Sequence, residues 1–247
     1  MNLQELLETL SPVIGFGESW PDGRWPVRGG FEPAALEIVA GAILTQNTRW
    51  ENVESALERL RRTLLTTPSV LAEASREILE EAIRPAGFYR RKAATLQRAA
   101  RFFVCHTAPP TREELLDLPG IGPETADSIL LYAFGQPVFV VDAYTRRLLT
   151  RLGLAGPDMD YEAVRRFCEA ELPSEPVLYQ RFHALIVEHG KRYCSRRPKC
   201  PECPLVSCCR WAATVGIEAA PAVSPEEEPT GRQQVSRRLH DVNGAET

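Results

Sequence analysis

The stretch LDLPGIGPETADSILLYAFGQPVFVVDAYTRRLLTRLG, residues 116–153, decides how the rest of the chain is read. Leu118-Pro119-Gly120-Ile121-Gly122 predicts a tight turn between two helices. Gly120 and Gly122 supply backbone freedom and permit close approach to another surface. Pro123 suits a first helical position, and Glu124 sits in the first turn, favourable against the helix dipole. Ala126, Ile129, Leu130 and Ala133 recur at helical spacing until Gly135 stops the helix. The apolar run Val138-Phe139-Val140-Val141 then delivers Asp142. Taken alone, Asp142 reads as the N-cap of a helix carrying Leu148 and Leu149. A glycine hairpin that opens a helix leaves backbone N–H groups pointing outward, where they bind a phosphate oxygen without a basic side chain.

Around this centre the pattern is helical almost throughout. Residues 2–10 make a short amphipathic helix, followed by a loop from Ser11 to Gly30 that contains Trp20-Pro21 and Trp25-Pro26. Helices are expected from Leu36 to Gln46 and from about Glu51 to Thr63, separated by the polar cluster Thr45-Gln46-Asn47-Thr48-Arg49-Trp50. A single helix is expected from Leu71 to Ile83. A turn at Gly87-Phe88-Tyr89 leads into another helix with a basic start, and residues 161–171 and 175–190 complete the set. Val138–Val141 is the only β-like run, so the fold class is all-α. Residues 211–247, with three prolines and an acidic triplet, read as a disordered tail.

The 247 residues, 44% hydrophobic, suffice for one sizeable core or two smaller lobes. No apolar run approaches the ~20 residues of a membrane span. No basic start followed by an apolar stretch is visible, so a cytoplasmic, nucleoid-associated location is expected. The net charge of −4 does not favour a nucleic-acid partner. Six acids and three bases lie in residues 211–247; the remainder still has 26 bases against 27 acids. Any field for a polyanion is therefore local. Two basic clusters qualify: Arg90-Arg91-Lys92, and Lys191, Arg192, Arg196, Arg197 and Lys199.

Five cysteines, Cys194, Cys200, Cys203, Cys208 and Cys209, crowd sixteen residues, while Cys105 and Cys168 stand apart as small core residues. The spacing is C-x5-C-x2-C, closed by Cys208 or Cys209. Only Cys200 and Cys203 form a close pair, which does not suit a structural zinc site. Four thiolates in one compact loop suit a 4Fe-4S cluster.

Taken together, LPGIG, the following helix and VVD resemble the helix–hairpin–helix DNA glycosylases of the endonuclease III superfamily, over about Ala35 to Arg210. The resemblance implies two helical lobes: a six-helix barrel with the hairpin at 34–141, and a second lobe from 1–33 and 142–210. It implies that Asp142 is catalytic, that Gly120, Gly122, Gln46 and Asn47 meet DNA, and that Phe88 wedges into the duplex. The family's C-terminal cluster loop, here one residue shorter in its first gap, follows a lead-in similar to His189-Gly190-Lys191-Arg192-Tyr193. It favours Cys209 as fourth ligand with Cys194, Cys200 and Cys203.

Bifunctional relatives carry a nucleophilic lysine at the position of Glu124. The chain therefore resembles a monofunctional branch, and LTQNT followed by an aromatic resembles the 3-methyladenine glycosylases. In that branch Trp50, with Trp25 or Trp20, belongs to a base pocket whose ring faces attract a cationic alkylated purine. Glu124 is either chemical or a helix-dipole partner. The expected partner is double-stranded DNA with a damaged base, bound by a monomer, the base being flipped out and its N-glycosidic bond hydrolysed. The alternatives are a glycosylase for oxidised or mismatched bases, with or without lyase activity, and a non-catalytic DNA-structure binder.

Overall fold

The computed structural model describes residues 1–16, 20–106 and 108–217, and these are helical with no strand among them. The segment from 218 to 247, most of the expected tail, lies outside the described residues. Helix α1 (Leu3–Ile14) is capped by Asn2 and buries Leu3, Leu6, Leu10 and Ile14. It outlasts the expected end at residue 10, running through Pro12 in its last turn, because Leu10 and Ile14 continue its buried stripe. Helices α2 (Ala35–Leu44) and α3 (Trp50–Arg62) flank the polar TQNT segment. The single helix expected from Leu71 to Ile83 is two, α4 (Pro68–Glu73) and α5 (Arg76–Ala82). The break is chemical: the Ser75 hydroxyl accepts from the Ile78 N–H at 3.3 Å and starts a new helix.

Helix α6 (Tyr89–Cys105), α7 (Arg112–Leu116) and α8 (Pro123–Ser128) follow, and α8 widens into a π-helical stretch at Ile129–Ala133. The chain then runs extended to α9 (Ala143–Leu152), α10 (Tyr161–Glu171), α11 (Pro176–Arg192) and α12 (Arg210–Thr214). The last of these runs into the segment expected to be disordered: Ala212 is buried, and the Arg151 guanidinium lies 5.4 Å from the Trp211 ring. No helix among the described residues is long and apolar enough to cross a membrane.

Two apolar clusters form the core. One gathers Phe31 to Leu130 from α2–α8; the other gathers α1, Leu131 to Val141, and α9–α11 with Cys194 and Leu205. The division falls inside the π stretch, between Leu130 and Leu131. Trp25 packs against both clusters, so its loop lies on the seam.

Candidate active site

The hairpin places a backbone turn against α6. Gly120 has φ +99°, and a Cβ there would meet Thr95 Oγ1 at 2.2 Å, so both conformation and space demand glycine. Gly122 differs from expectation: its φ of −98° is ordinary, and a side chain would meet open space. Gln46 closes the α2 end onto the hairpin, its Nε2 donating to Gly120 O at 3.0 Å and Thr125 Oγ1 at 3.2 Å. Asn47, next to it, has φ +52°. Phe88 is 62% exposed in the left-handed region at φ +46°, with the Arg91 guanidinium 5.4 Å from its ring. Lys92 leaves the expected basic cluster: it is buried, donating at 2.8 Å to both Leu44 O and Ala86 O.

Between hairpin and seam lies a cleft of about 420 Å³. Trp50 lines it, and so do both Trp20 and Trp25, which sequence spacing left in competition. They stand edge to face, with centroids 5.8 Å apart for Trp20–Trp25 and 5.4 Å for Trp25–Trp50. The Trp25 loop is fixed by Glu37, which is fully buried. Its carboxylate accepts from the Arg28 and Gly29 N–H groups, each at 2.9 Å, and from the Arg61 guanidinium. Gly41 makes the room: a Cβ there would lie 2.8 Å from Trp25 Cζ2.

Three carboxylates line the cleft, Glu51, Glu124 and Asp142, and the last two lie close enough to interact yet differ in environment. Asp142 caps α9, its Oδ1 accepting from the Thr145 N–H at 2.7 Å, while Oδ2 lies 3.6 Å from His183 Nε2. Desolvation raises its carboxyl, but His183 and Thr145 outweigh that and hold it below its ordinary value. Asp142 is thus both the N-cap and a wall of the cleft. Glu124 reaches solvent at the cleft's mouth yet is crowded there; desolvation, then the Asp142 charge, push its pKa up to about 7. Tyr132, Tyr144, His183 and Lys191 complete the surroundings. Of these only Lys191 stood out in the sequence, as part of a basic cluster. His183 is a lone histidine in the apolar run Phe182–Val187, which signals nothing but burial.

Cys194, Cys200, Cys203 and Cys209 surround one common cavity beside α9 and α11. Cys208 does not line it; its thiol donates to Leu205 O at 3.2 Å. Among the described residues no three such side chains converge tightly enough for a single ion, whereas a four-iron cluster needs thiolates spread around a void. The donors are placed for anionic sulfur: Arg151 Nη1 and His189 Nε2 each lie 3.2 Å from a thiol, Cys194 and Cys203 respectively. Arg147 Nε holds the loop by donating to Cys194 O at 2.6 Å.

Residues 40–174 match the family described as HhH-GPD superfamily base excision DNA repair protein. A protein of Methanocaldococcus jannaschii named "Putative DNA repair glycosylase MJ1434" is 41% identical over 197 residues, 75% of this chain and 87% of its own. A trapped endonuclease III–DNA covalent intermediate superposes with a TM-score of 0.73 at 26% identity, over 87% of this chain and 99% of that one. A 3-methyladenine DNA glycosylase of H. pylori, bound to 1,N6-ethenoadenine, superposes with a TM-score of 0.67 at 30% identity, over 77% and 98%. The chain therefore belongs to the HhH-GPD superfamily of base excision DNA repair proteins and is a DNA N-glycosylase.

Proposed function

We propose that the chain is a monofunctional glycosylase that flips a damaged base from duplex DNA into the tryptophan-lined cleft, hydrolyses its N-glycosidic bond and leaves an abasic site. The observation that carries this is the pair of carboxylates in the cleft, with Glu124 where bifunctional relatives carry a lysine. A carboxyl cannot form the Schiff base that strand cleavage needs. Lys191 also borders the cleft, but its ammonium is ion-paired with Glu188 at 2.9 Å, and a paired ammonium is no nucleophile.

The reaction follows from the residues. Phe88 enters the base stack, the Gly120–Gly122 turn takes a phosphate, and Gln46 and Asn47 border the space that the flipped nucleotide leaves. As the C1′–N bond lengthens, positive charge grows on the sugar, and Asp142, held ionised, stabilises it and orients water. The substrate this supports best is an alkylated purine: ring faces of Trp20, Trp25 and Trp50 attract its charge, and its glycosidic bond is already weak. A second reading, oxidised or mismatched neutral bases, is favoured by Glu124. With a pKa of about 7 it is part protonated near neutrality and can give a proton to a leaving base. Cys194, Cys200, Cys203 and Cys209 fit a 4Fe-4S cluster, which would hold the loop in shape and take no part in hydrolysis.

The test is a gel assay on duplexes bearing single methylated, deaminated, oxidised or mismatched bases, developed with and without alkali. Strand breaks that need alkali are expected, lost in Asp142→Asn, and the responding lesion names the substrate. Breaks without alkali in the wild type overturn the monofunctional reading, and their loss in Lys191→Ala would name the amine. Tight DNA binding with no release from any lesion favours the structure binder.

A further inference from the structure

Behind Asp142 the fold places two buried side chains that hydrolysis as described does not use. His183, from the middle of α11, lies with Nδ1 2.7 Å from Tyr132 Oη, which comes from the π stretch. Its Nε2 has no hydrogen-bond partner and lies 3.6 Å from Asp142 Oδ2. Trp20 stands edge-on to the imidazole at 5.8 Å, so the ring is packed in this orientation. The titratable groups close to it are Asp142 at the start of α9, Glu124 on α8 and Tyr132, and Lys191, further along α11, lines the same cleft.

Hydrogen-bond chemistry fixes where the protons lie. Burial and the Asp142 charge hold the Tyr132 phenol well above its ordinary value, so it keeps its proton. When the imidazole is neutral, the Asp142 carboxylate beside Nε2 favours the ring proton on that nitrogen, and the phenol then donates to Nδ1. When the imidazole is charged, both nitrogens carry protons. In either state an N–H at Nε2 faces the carboxylate oxygen that the α9 cap leaves free. At 3.6 Å the pair is a close charge contact rather than a formed hydrogen bond.

We propose that His183 and Tyr132 are positioning residues for Asp142: the Tyr132 hydroxyl supports the His183 tautomer, and the Nε2–H keeps Asp142 Oδ2 charged and aimed at the sugar. The proposal rests on Asp142 being the group that meets the sugar cation.

The experiment needs no knowledge of the lesion. The full chain is titrated from acid to neutral pH with two duplexes, one holding a neutral tetrahydrofuran abasic analogue and one a protonated pyrrolidine analogue. The ratio of their Kd values reads the charge on Asp142. In the wild type the cationic duplex is preferred, and the preference falls away as Asp142 takes a proton. In His183→Leu the midpoint of that fall rises by about one pH unit, with about a tenfold loss of preference below it. Tyr132→Phe moves the midpoint the same way by less. His183→Gln, whose amide keeps a donor, restores most of it. A folded His183→Leu protein with the wild-type midpoint overturns the proposal. So does an equal, pH-independent loss in His183→Leu and His183→Gln, which is the mark of packing alone. Asp142→Asn separates the two levels: if it keeps the cationic preference, the catalytic assignment of Asp142 falls, and this one with it.

Discussion

Lys92→Met is the most quantitative test of how the Gln46–Asn47 segment and the Phe88 loop are held together. Lys92 is 1% exposed, and its single Nζ bonds the last residue of α2, Leu44, and the residue before Gly87-Phe88, Ala86. It therefore ties the Gln46–Asn47 segment to the Phe88 loop. Methionine keeps the stem's bulk and removes the donors, leaving two carbonyls unsatisfied at about 1–3 kcal/mol each. The ammonium is itself costly. Burial, with Arg91 beside it, brings the pKa down from an ordinary 10.5 to about 8, so holding the proton at neutral pH costs about 3 kcal/mol. The two effects largely offset, and at neutral pH the variant is less stable by only about 1–2 kcal/mol.

The pH dependence gives the sign. The folded pKa lies below the unfolded one, so between about 8 and 10.5 the unfolded chain binds more protons and wild-type stability rises with pH. The neutral amine still has two N–H donors for its two carbonyls. Methionine lacks this contribution, and groups common to both proteins cancel in the difference. Urea unfolding of both proteins across this window should show the gap widening by about 2 kcal/mol, allowing for partial screening. A flat or narrowing gap refutes the account.

Three further outcomes are expected. Gly41→Ala drives a methyl to 2.8 Å from Trp25 Cζ2, so Trp25 shifts and its fluorescence changes, with base release falling at least about tenfold if the ring shapes the transition state; unchanged emission and activity would count against the packing described. Phe88→Ala removes an exposed ring and should leave stability within about 0.5 kcal/mol while weakening DNA bending, followed by energy transfer between labelled duplex ends. Glu124→Gln should flatten the pH dependence of single-turnover release from a neutral lesion, which in the wild type declines as pH rises through about 7; a wild-type profile in the variant would leave Glu124 no proton-donating role.

What the sequence conveys here is local chemistry. Gly120 in the left-handed region, Pro123 opening α8, and Asp142 as cap of α9 are read from neighbouring residues, and each is found as expected. The three tryptophans were visible as residues, but not that one cleft takes all of them. What escaped was contact across long separations: His183 to Tyr132 spans 51 residues, and Lys92 to Leu44 spans 48. No spacing rule connects such pairs. Lys92 misled for a related reason, since in Arg90-Arg91-Lys92 three cations look alike and only the helix phase turns the third inward. Ser75 gives little warning of the break, because a hydroxyl inside an apolar periodic run is a weak signal without its bond to Ile78.

The π stretch at Ile129–Ala133 has a consequence for how such a site changes over generations. Ile129, Leu130, Leu131 and Tyr132 are all buried, the first two facing one core and the next two the other. An ordinary helical turn advances each residue by about 100°; the wider turn holds one residue more over the same span, so all that follows is rotated relative to an α-helix. Tyr132 owes its place beside His183 to that phase. A one-codon deletion in this turn would swing the tyrosine off the imidazole and carry Leu131 toward the wrong core, a change that no exchange of one amino acid for another reproduces. The geometry of the cleft is thus written in the length of the chain as well as in its letters.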